Sequence, residues 1–253
     1  MSDQPAPPVE VDRVEPVPRR IRAFLDGQAV VDTIDARYVW ENPYYAQFYI
    51  PLADVRPDTL VDEGTTEESS RGDVKQYAVR VGDVTRAHAA GVLAAAKVEG
   101  LDDTVRFAWS AFDSWFEEDE EVFVHPRNPY TRVDALRSSR RLRVESKGVV
   151  LAESSSPILC FETGLPTRYY VNRTDVDFTH LVASDTESAC PYKGVTSAYW
   201  SARIEDRIHP DIAWAYDFPT RELLPIAGLV AFYNEKVDLF LDDVELLRPR
   251  ARL

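Results

Sequence analysis

The densest group of potentially reactive side chains in this 253-residue sequence is the segment Cys190-Pro191-Tyr192-Lys193-Gly194. It places a thiol, a phenol and an amine close together, beside a glycine that lets the backbone bend. A lysine can bind a carboxylate or phosphate, and a cysteine beside a lysine can be held as a thiolate. The alternatives are a surface lysine at a turn and a cysteine that packs as a small apolar residue. Both alternatives stay open for Lys193 and Cys190.

The sequence contains an internal repeat, which indicates the domain that positions this segment. Arg19-Arg20-Ile21-Arg22 recurs as Arg140-Arg141-Leu142-Arg143, 121 positions later. The same offset relates Glu41 to Glu162 and Phe48-Tyr49-Ile50 to Tyr169-Tyr170-Val171. After small insertions, the alignment pairs Gly72 with Gly194, Tyr77 with Tyr199, and Ala108-Trp109 with Ala213-Trp214. The sequence therefore predicts a flexible arm (residues 1–18), a degenerate first repeat (19–136) and a second repeat that carries the segment (137–253).

Short alternating runs separated by turn residues predict antiparallel β-structure. Asp26-Gly27 and Lys147-Gly148 are typical of hairpin turns, between Ile21–Leu25 and Ala29–Thr33 and between Leu142–Glu145 and Val149–Glu153. Further predicted strands are Ile158–Phe161, Arg168–Val171, Thr179–Ala183, Ala198–Ile204, Ile212–Tyr216, Leu229–Tyr233 and Val237–Leu241, with Asn234-Glu235-Lys236 turning the last pair. The alanine-rich stretch Arg86–Gly100 predicts a short helix. The expected fold is mainly β, with two tandem antiparallel small barrels or sandwiches and few short helices.

Composition excludes several classes of function. The net charge of -14 disfavours nucleic-acid binding, and the basic cluster Arg137, Arg140, Arg141 and Arg143 is expected to be a solvated edge. Two cysteines and four histidines, widely scattered, form neither a disulfide framework nor a zinc motif, so no metal site is predicted. No apolar run reaches the roughly 18 residues of a membrane span, and the N-terminus lacks a signal-peptide pattern. A soluble cytoplasmic protein is the expectation.

Comparing the two repeats separates residues needed for folding from residues specific to one copy. The first repeat has Glu67-Glu68-Ser69-Ser70-Arg71-Gly72 where the second has the reactive segment, so only the glycine is shared. Glu41 and Glu162 are retained in both, which favours a shared structural hydrogen bond or salt bridge. Arg168 faces Gln47 in the alignment and is therefore a second candidate anion-binding cation, beside Lys193. Tyr199, Trp109, Trp214 and Cys160 are interpreted as structural or core residues, and His125–Tyr130 as a segment between the repeats.

The reactive segment, together with Tyr199-Trp200-Ser201, Glu162-Thr163-Gly164-Leu165-Pro166 and Ile226–Tyr233, resembles the family called domain of unknown function 427. The second repeat matches along nearly its whole length, and the first repeat matches weakly. The resemblance implies small, mainly β domains similar to the β-tent type of open barrel. The family also has a nucleotidyltransferase-like label, but Asp175, Asp177 and Asp185 are scattered and no phosphate-cradling glycine loop follows a strand.

Three hypotheses on function follow. The first is that the second repeat binds a small anionic molecule in a pocket lined by Arg168, Tyr170, Tyr192, Lys193 and Trp200. The second is an enzyme that uses Cys190 as nucleophile or redox thiol, or Lys193 as base or cation. The third is a scaffold in which the segment is only a turn. The sequence does not identify a cofactor.

Overall fold

The computed structural model describes residues 9–249, and these divide into two compact units between Asn128 and Pro129. The sequence prediction had placed this boundary between residues 136 and 137. Residues 1–8 of the predicted flexible arm lie outside the described part of the chain. Within residues 9–18, Val14–Pro16 forms a strand and Val17 is buried.

The first unit contains two antiparallel sheets. Its strands are β1 (Val14–Pro16), β2 (Ile21–Leu25), β3 (Gln28–Thr33), β4 (Arg37–Val39), β5 (Gln47–Pro51), β6 (Leu60–Ser69), β7 (Gly72–Val81), β8 (Val84–Ala96), β9 (Thr104–Phe107), β10 (Ser114–Glu117) and β11 (Glu120–Val122). Seven strands form one sheet in the order β1-β4-β5-β9-β8-β7-β6, and four form the other in the order β11-β10-β2-β3. Single 3-10 turns lie at Leu52–Asp54 and Trp109–Ala111.

The second unit repeats this topology. Its strands are β12 (Val133–Arg137), β13 (Leu142–Ser146), β14 (Val149–Ser154), β15 (Ile158–Glu162), β16 (Arg168–Val171), β17 (Leu181–Ser184), β18 (Ala189–Cys190), β19 (Gly194–Val195), β20 (Ala198–Ile204), β21 (Arg207–Ala215), β22 (Val230–Phe232), β23 (Asp238–Leu241) and β24 (Val244–Glu245). The large sheet runs β12-β15-β16-β22-β21-β20-β17, the small one β14-β13-β23-β24, and β18 pairs with β19. Short 3-10 segments lie at Arg173–Asp175, Phe178–His180 and Arg221–Ile226.

The prediction of a mainly β, antiparallel, tandem fold is confirmed, and no sheet of the described residues closes into a barrel. The two hairpin predictions are also correct. Asp26 and Gly27 both have positive φ, as do Lys147 and Gly148, which is the backbone geometry of a two-residue type I′ turn. Within residues 9–249, no helix is long and apolar enough to span a membrane.

Each large sheet separates two apolar clusters. In the second unit, the inner cluster combines Val144 of β13 with Tyr169 and Val171 of β16, so it lies between the two sheets. The apolar cluster on the other face contains Tyr170 of β16, and its remaining members come from the large sheet and from the segment that follows β21. Because successive side chains of a strand point to opposite faces, Tyr169 and Tyr170 belong to different clusters. The reactive segment lies on the outer side.

Two local predictions were wrong. The alanine-rich stretch predicted as a helix is strand β8, which is hydrogen-bonded to β7 on one side and β9 on the other. Alanine has the highest helix propensity, but propensity is a weak determinant of structure, and pairing on both edges with burial of Ala89 and Ala90 outweighs it. Asn234–Lys236 does not turn a hairpin, because β22 and β23 belong to different sheets and the chain crosses from one to the other there.

The strand register also corrects the alignment of the repeats. Tyr49 pairs with Arg106, Arg106 with Gly91, and Gly91 with Gln76. The matching path in the second unit is Tyr170, Ala231, Trp214 and Tyr199. Tyr199 is therefore the equivalent of Gln76, not of Tyr77, and Trp214 corresponds to Gly91, not to Trp109. A shift of one residue moves a side chain to the other face of the sheet, so this correction changes which residues can share a site.

Candidate functional site

The outer face of the second large sheet presents a cluster of polar and aromatic side chains. Cys160 and Glu162 lie two residues apart on β15. Tyr170 on the neighbouring strand β16 shares their face, and so do Tyr199 on β20 and Trp214 on β21. Residues two apart on a strand share a face, which explains why Cys160 and Glu162 occur together. We call these residues, with Cys190, Lys193, Tyr216 and Tyr233, the outer cluster.

The β18–β19 hairpin carries Lys193 over this face. The backbone N–H of Lys193 donates to the carbonyl of Cys190 (3.3 Å), closing the turn, and the N–H of Thr220 donates to the carbonyl of Lys193 (3.1 Å). The Thr220 hydroxyl donates to the carbonyl of Tyr192 (2.5 Å). Gly194 has a φ of +94°, which a residue with a Cβ adopts only with strain, so the glycine shared by both repeats is a requirement of the backbone.

Lys193 and Glu162 form a buried ion pair. Their side chains are only 9% and 7% exposed, and Lys193 Nζ donates a short hydrogen bond to Glu162 Oε2. Burial alone lowers the pKa of Lys193, but the charge of Glu162, aided by Cys190 and Tyr170, outweighs burial and holds this pKa above its ordinary value. The lysine therefore stays protonated at neutral pH.

Two thiols and one phenol surround this pair. Cys190 Sγ lies 3.8 Å from Lys193 Nζ and is partly exposed, whereas Cys160 is only 1% exposed. Burial raises the pKa of Cys160 to about 11, although Lys193 partly opposes this shift. Tyr170 is fully buried, the indole N–H of Trp214 interacts with its oxygen, and no described residue accepts a hydrogen bond from its hydroxyl. Burial raises the pKa of Tyr170 as well, again with partial opposition from Lys193.

A chain of hydroxyl groups runs along one side of the outer cluster. Ser188 Oγ and the Tyr199 hydroxyl are 2.7 Å apart, and the Tyr199 and Tyr233 hydroxyls are 3.0 Å apart. Burial is the main reason that the pKa values of Tyr216 and Tyr233 are raised. The site thus combines one compensated ion pair, one accessible thiol and several neutral hydroxyls around an apolar floor.

The sequence of the chain matches a known family. A family model described as a domain of unknown function (DUF427) matches residues 13–118 and again residues 134–243. The chain belongs to this family. Both DUF427 matches fall within the two units of the structure, which confirms the tandem duplication. A comparison with functionally curated proteins found no match.

Of the five residues predicted to bind a ligand, the DUF427 fold brings Tyr170 and Lys193 together. Arg168 lies on the same face but makes a bidentate pair with Glu235, at 2.7 and 2.9 Å, and packs over the rings of Trp214 and Tyr233. Its charge is therefore already matched.

The other two residues lie elsewhere. Tyr192 is half-buried in the turn of the β18–β19 hairpin. Trp200 points to the inner face of the sheet, where it packs edge-to-face on Phe178 at 5.6 Å and lies under the guanidinium of Arg173. The candidate catalytic residues Cys190 and Lys193 do lie side by side.

Sequence reasoning included Tyr170 but left Tyr199, Tyr216, Tyr233 and Trp214 of the outer cluster out of the predicted site. Tyr199 and Trp214 were interpreted as structural or core residues, which agrees with their burial in an apolar cluster, although the alignment behind that interpretation was wrong for both. For Tyr199, the signal that could have found it is the alternation along β20, because Tyr199 and Trp200 must point to opposite faces. Tyr216 and Tyr233 lie just beyond β21 and β22, where alternation along a strand gives no indication of direction.

Glu162 and the arginines of the basic cluster all form ion pairs where the structure gives their contacts. Glu162 forms an ion pair, as the retained glutamate suggested. Arg140 pairs with Asp242, Arg141 with Asp243 and Arg143 with Glu145, so these charges are locally compensated. Within residues 9–249, no three histidine, cysteine or acidic side chains are arranged to hold a metal ion.

The first DUF427 repeat keeps the polar core of the site in a different form. Glu41 and Tyr49 stand at the positions of Glu162 and Tyr170, and Arg71 precedes the shared glycine as Lys193 does. Arg71 Nη2 lies 3.8 Å from Glu41 Oε1, and the Tyr49 hydroxyl donates to the same oxygen at 2.8 Å. A glutamate, a tyrosine and a cation are therefore common to both repeats, whereas the two thiols are specific to the second.

Proposed function

We propose that the second repeat binds a small molecule that presents an acceptor oxygen, most simply an anion, between Lys193 and Tyr170. The observation that carries the proposal is the hydroxyl of Tyr170, which is fully buried and whose O–H has no acceptor among the described residues, although the indole N–H of Trp214 interacts with its oxygen. Native proteins rarely leave such a group unpaired, because its desolvation costs about 1–3 kcal/mol.

The charge on Lys193 gives the ligand its expected chemistry. An ammonium has three N–H donors, and the contacts of Lys193 Nζ in the structure go to Glu162 and, at 3.8 Å, to the Cys190 sulfur. One donor is left for an oxygen that the Tyr170 hydroxyl could also reach. The two groups interact electrostatically, as the effect of each on the pKa of the other indicates.

The location of the site supports small-molecule binding over recognition of a macromolecule. Lys193, Glu162 and Tyr170 are all buried, and the partly exposed Cys190 lies beside Lys193. An apolar pocket with a few convergent polar groups is the usual form of a small-molecule site. The expectations of a cytoplasmic location and of no nucleic-acid partner stay predictions from the sequence.

The test is a thermal-shift screen of the full chain with acetate, succinate, citrate, inorganic phosphate and sulfate, on the wild type and on Tyr170→Phe. Removing a buried hydroxyl whose O–H has no acceptor is expected to leave the fold intact. A hydrogen bond to a charged group contributes about 1.5–3 kcal/mol, so binding of an active anion to Tyr170→Phe should weaken roughly 10- to 100-fold.

Tyr49→Phe in the first repeat is the matched control and should leave that binding unchanged. The proposal fails if no probe stabilises the wild type, or if Tyr170→Phe responds to the active probe as the wild type does.

An enzyme remains the alternative, and one observation favours it. The 3.8 Å contact between Cys190 Sγ and Lys193 Nζ places a partly exposed thiol next to a positive charge, which is the setting that activates cysteines. This alternative requires Cys190 to react with an alkylating agent much faster than an ordinary exposed cysteine. Slow labelling would remove the thiolate version. The nucleotidyl transfer suggested by the family's label stays a hypothesis without support from these residues.

A further inference from the structure

The outer face of the first repeat contains an open pocket where the second repeat is filled. Gly91 stands where the second repeat has Trp214, and Gln76 where it has Tyr199. Ala108 corresponds to Tyr233, because each donates its backbone N–H to the equivalent residue of the neighbouring strand, Ala89 or Ile212. Three large aromatic side chains are thus replaced by smaller ones. A pocket of about 250 Å³ occupies this space, and Gln76, Gly91 and Ala108 line it.

A network of charges forms one wall of the pocket. The Tyr49 hydroxyl donates to Glu41 Oε1 at 2.8 Å, and Arg106 Nε lies 3.5 Å from the same oxygen. Arg71 completes the network, with Nη1 2.6 Å from Asp12 Oδ1 and Nη2 3.8 Å from Glu41 Oε1. Burial and the negative charge of Glu41 raise the pKa of Tyr49, so this phenol stays neutral.

Arg106 is the group in this wall that is best placed to bind a ligand. Its side chain is 38% exposed and lines the pocket, yet its guanidinium makes no hydrogen bond within the described structure. Its Nε is buried and makes no hydrogen bond, although it forms an ion pair with Glu41 at 3.5 Å, and the Nε of Arg71 is likewise buried without a hydrogen bond. A guanidinium presents a planar fork that matches a carboxylate, and leaving buried donors unpaired is costly. In the second repeat, Ala231 takes the place of Arg106, so this feature is specific to the first.

The opposite side of the pocket is acidic. Glu67 pairs with Val74 across β6 and β7, so both side chains lie on the outer face, and both line the pocket together with Glu68. The lining residues include three carboxylates and two guanidiniums. A simple anion would meet this excess of negative charge, and a simple cation would meet the arginines. A molecule that carries both charges meets a partner for each.

We propose that the first repeat holds a second, independent binding site for a small zwitterion of the amino-acid type. Its carboxylate pairs with the fork of Arg106, its ammonium pairs with Glu67, and its side chain packs on the apolar wall formed by Val74, Leu93 and Ala108. This site does not depend on the function proposed for the second repeat, because the two sites share no residue.

The test is isothermal titration calorimetry of the full chain with the free L-amino acids as probes. Each probe that binds is then compared with its N-acetyl form, which keeps only the negative charge, and its amide, which keeps only the positive charge. At least one free amino acid should bind, and both of its derivatives should bind at least about 10-fold more weakly.

Variants locate the site. Arg106→Met should weaken binding of the amino acid at least about 10-fold, Arg106→Lys should weaken it less, and Glu67→Gln should reduce discrimination against the N-acetyl form. Tyr170→Phe in the second repeat is the control that should have no effect. Hydrogen exchange of the first repeat shows whether Arg106→Met is still folded. The proposal is overturned if no amino acid binds, if the derivatives bind as well as the parent, or if a folded Arg106→Met binds normally.

Discussion

Breaking the buried pair between Lys193 and Glu162 should be far more damaging than removing it. Lys193→Met leaves the Glu162 carboxylate, 7% exposed, without its cation, and Glu162→Leu leaves a buried ammonium without its anion. Removing one partner of such a pair costs about 3–5 kcal/mol, whereas replacing both partners by apolar residues is often neutral or stabilising. The double variant should therefore lie within about 1 kcal/mol of the wild type, which implies a coupling energy of several kcal/mol.

The assay must report on each unit separately, because a chain with two compact units does not guarantee a single unfolding transition. Hydrogen exchange followed peptide by peptide meets this need, since peptides from the first repeat act as an internal reference. The two single variants should speed exchange in β15, β16 and the β18–β19 hairpin, and the double variant should restore slow exchange. A matched control is Lys75→Met, because Lys75 and Asp62 form an exposed pair with side chains 52% and 46% exposed. Breaking that pair should leave exchange nearly unchanged, because both of its charges are solvated.

The reasoning is refuted if each single variant costs less than about 1 kcal/mol and the two costs add in the double variant. That outcome would mean that solvent reaches the pair and that Lys193 is in effect a surface residue. It would also remove the basis for placing a ligand beside it.

Two further predictions concern reactivity and pH. Iodoacetamide should label Cys190 in the native protein and leave Cys160 unmodified until the chain is unfolded, because Cys160 is buried with its pKa raised to about 11, and mass spectrometry of the labelled peptides shows this directly. Burial works against the charged form of Glu235, but Arg168 outweighs it and holds the pKa of this carboxyl below its ordinary value of 4.5. A carboxyl whose pKa is lowered on folding stabilises the folded state above its ordinary pKa, and this contribution is lost as the pH falls below it. The second repeat should therefore weaken as the pH falls below 4.5, and Arg168→Met should reduce this dependence in urea unfolding curves measured at decreasing pH.

The fold was largely predictable because its signals are local. Strands Arg168–Val171 and Ala198–Ile204 occur at the predicted residues, since alternation and flanking turn residues define them without help from the rest of the chain. Strand β8 was mistaken for a helix because its alanines are neutral in pattern, and only pairing with β7 and β9 fixes its conformation. Which strand pairs with which is a property of the whole sheet and cannot be taken from one segment.

The candidate site was predictable in part, for a related reason. The sequence identified Lys193 because the first repeat has no lysine at the equivalent position. The burial of this lysine against Glu162, however, depends on a contact between residues 31 positions apart in the chain. Trp200 was grouped with the site because it follows the reactive segment closely, and the face it points to depends on a register that the alignment placed one residue too far. A one-residue error leaves strand predictions intact and reverses every assignment of face.

The two repeats show how one sheet can support different sites. Each retains a glutamate, a tyrosine and a cation at equivalent positions, so the polar centre belongs to the duplicated fold itself. What differs is the volume of the neighbours. Trp214, Tyr199 and Tyr233 fill the face of the second repeat, whereas their smaller counterparts leave the pocket of about 250 Å³ in the first. A substitution that fills the pocket tests this explanation. Ala108→Tyr should occupy the space as Tyr233 does in the second repeat and abolish amino-acid binding. The response of the second repeat to anions should stay unchanged. If Ala108→Tyr binds amino acids as the wild type does, the pocket is not where they bind.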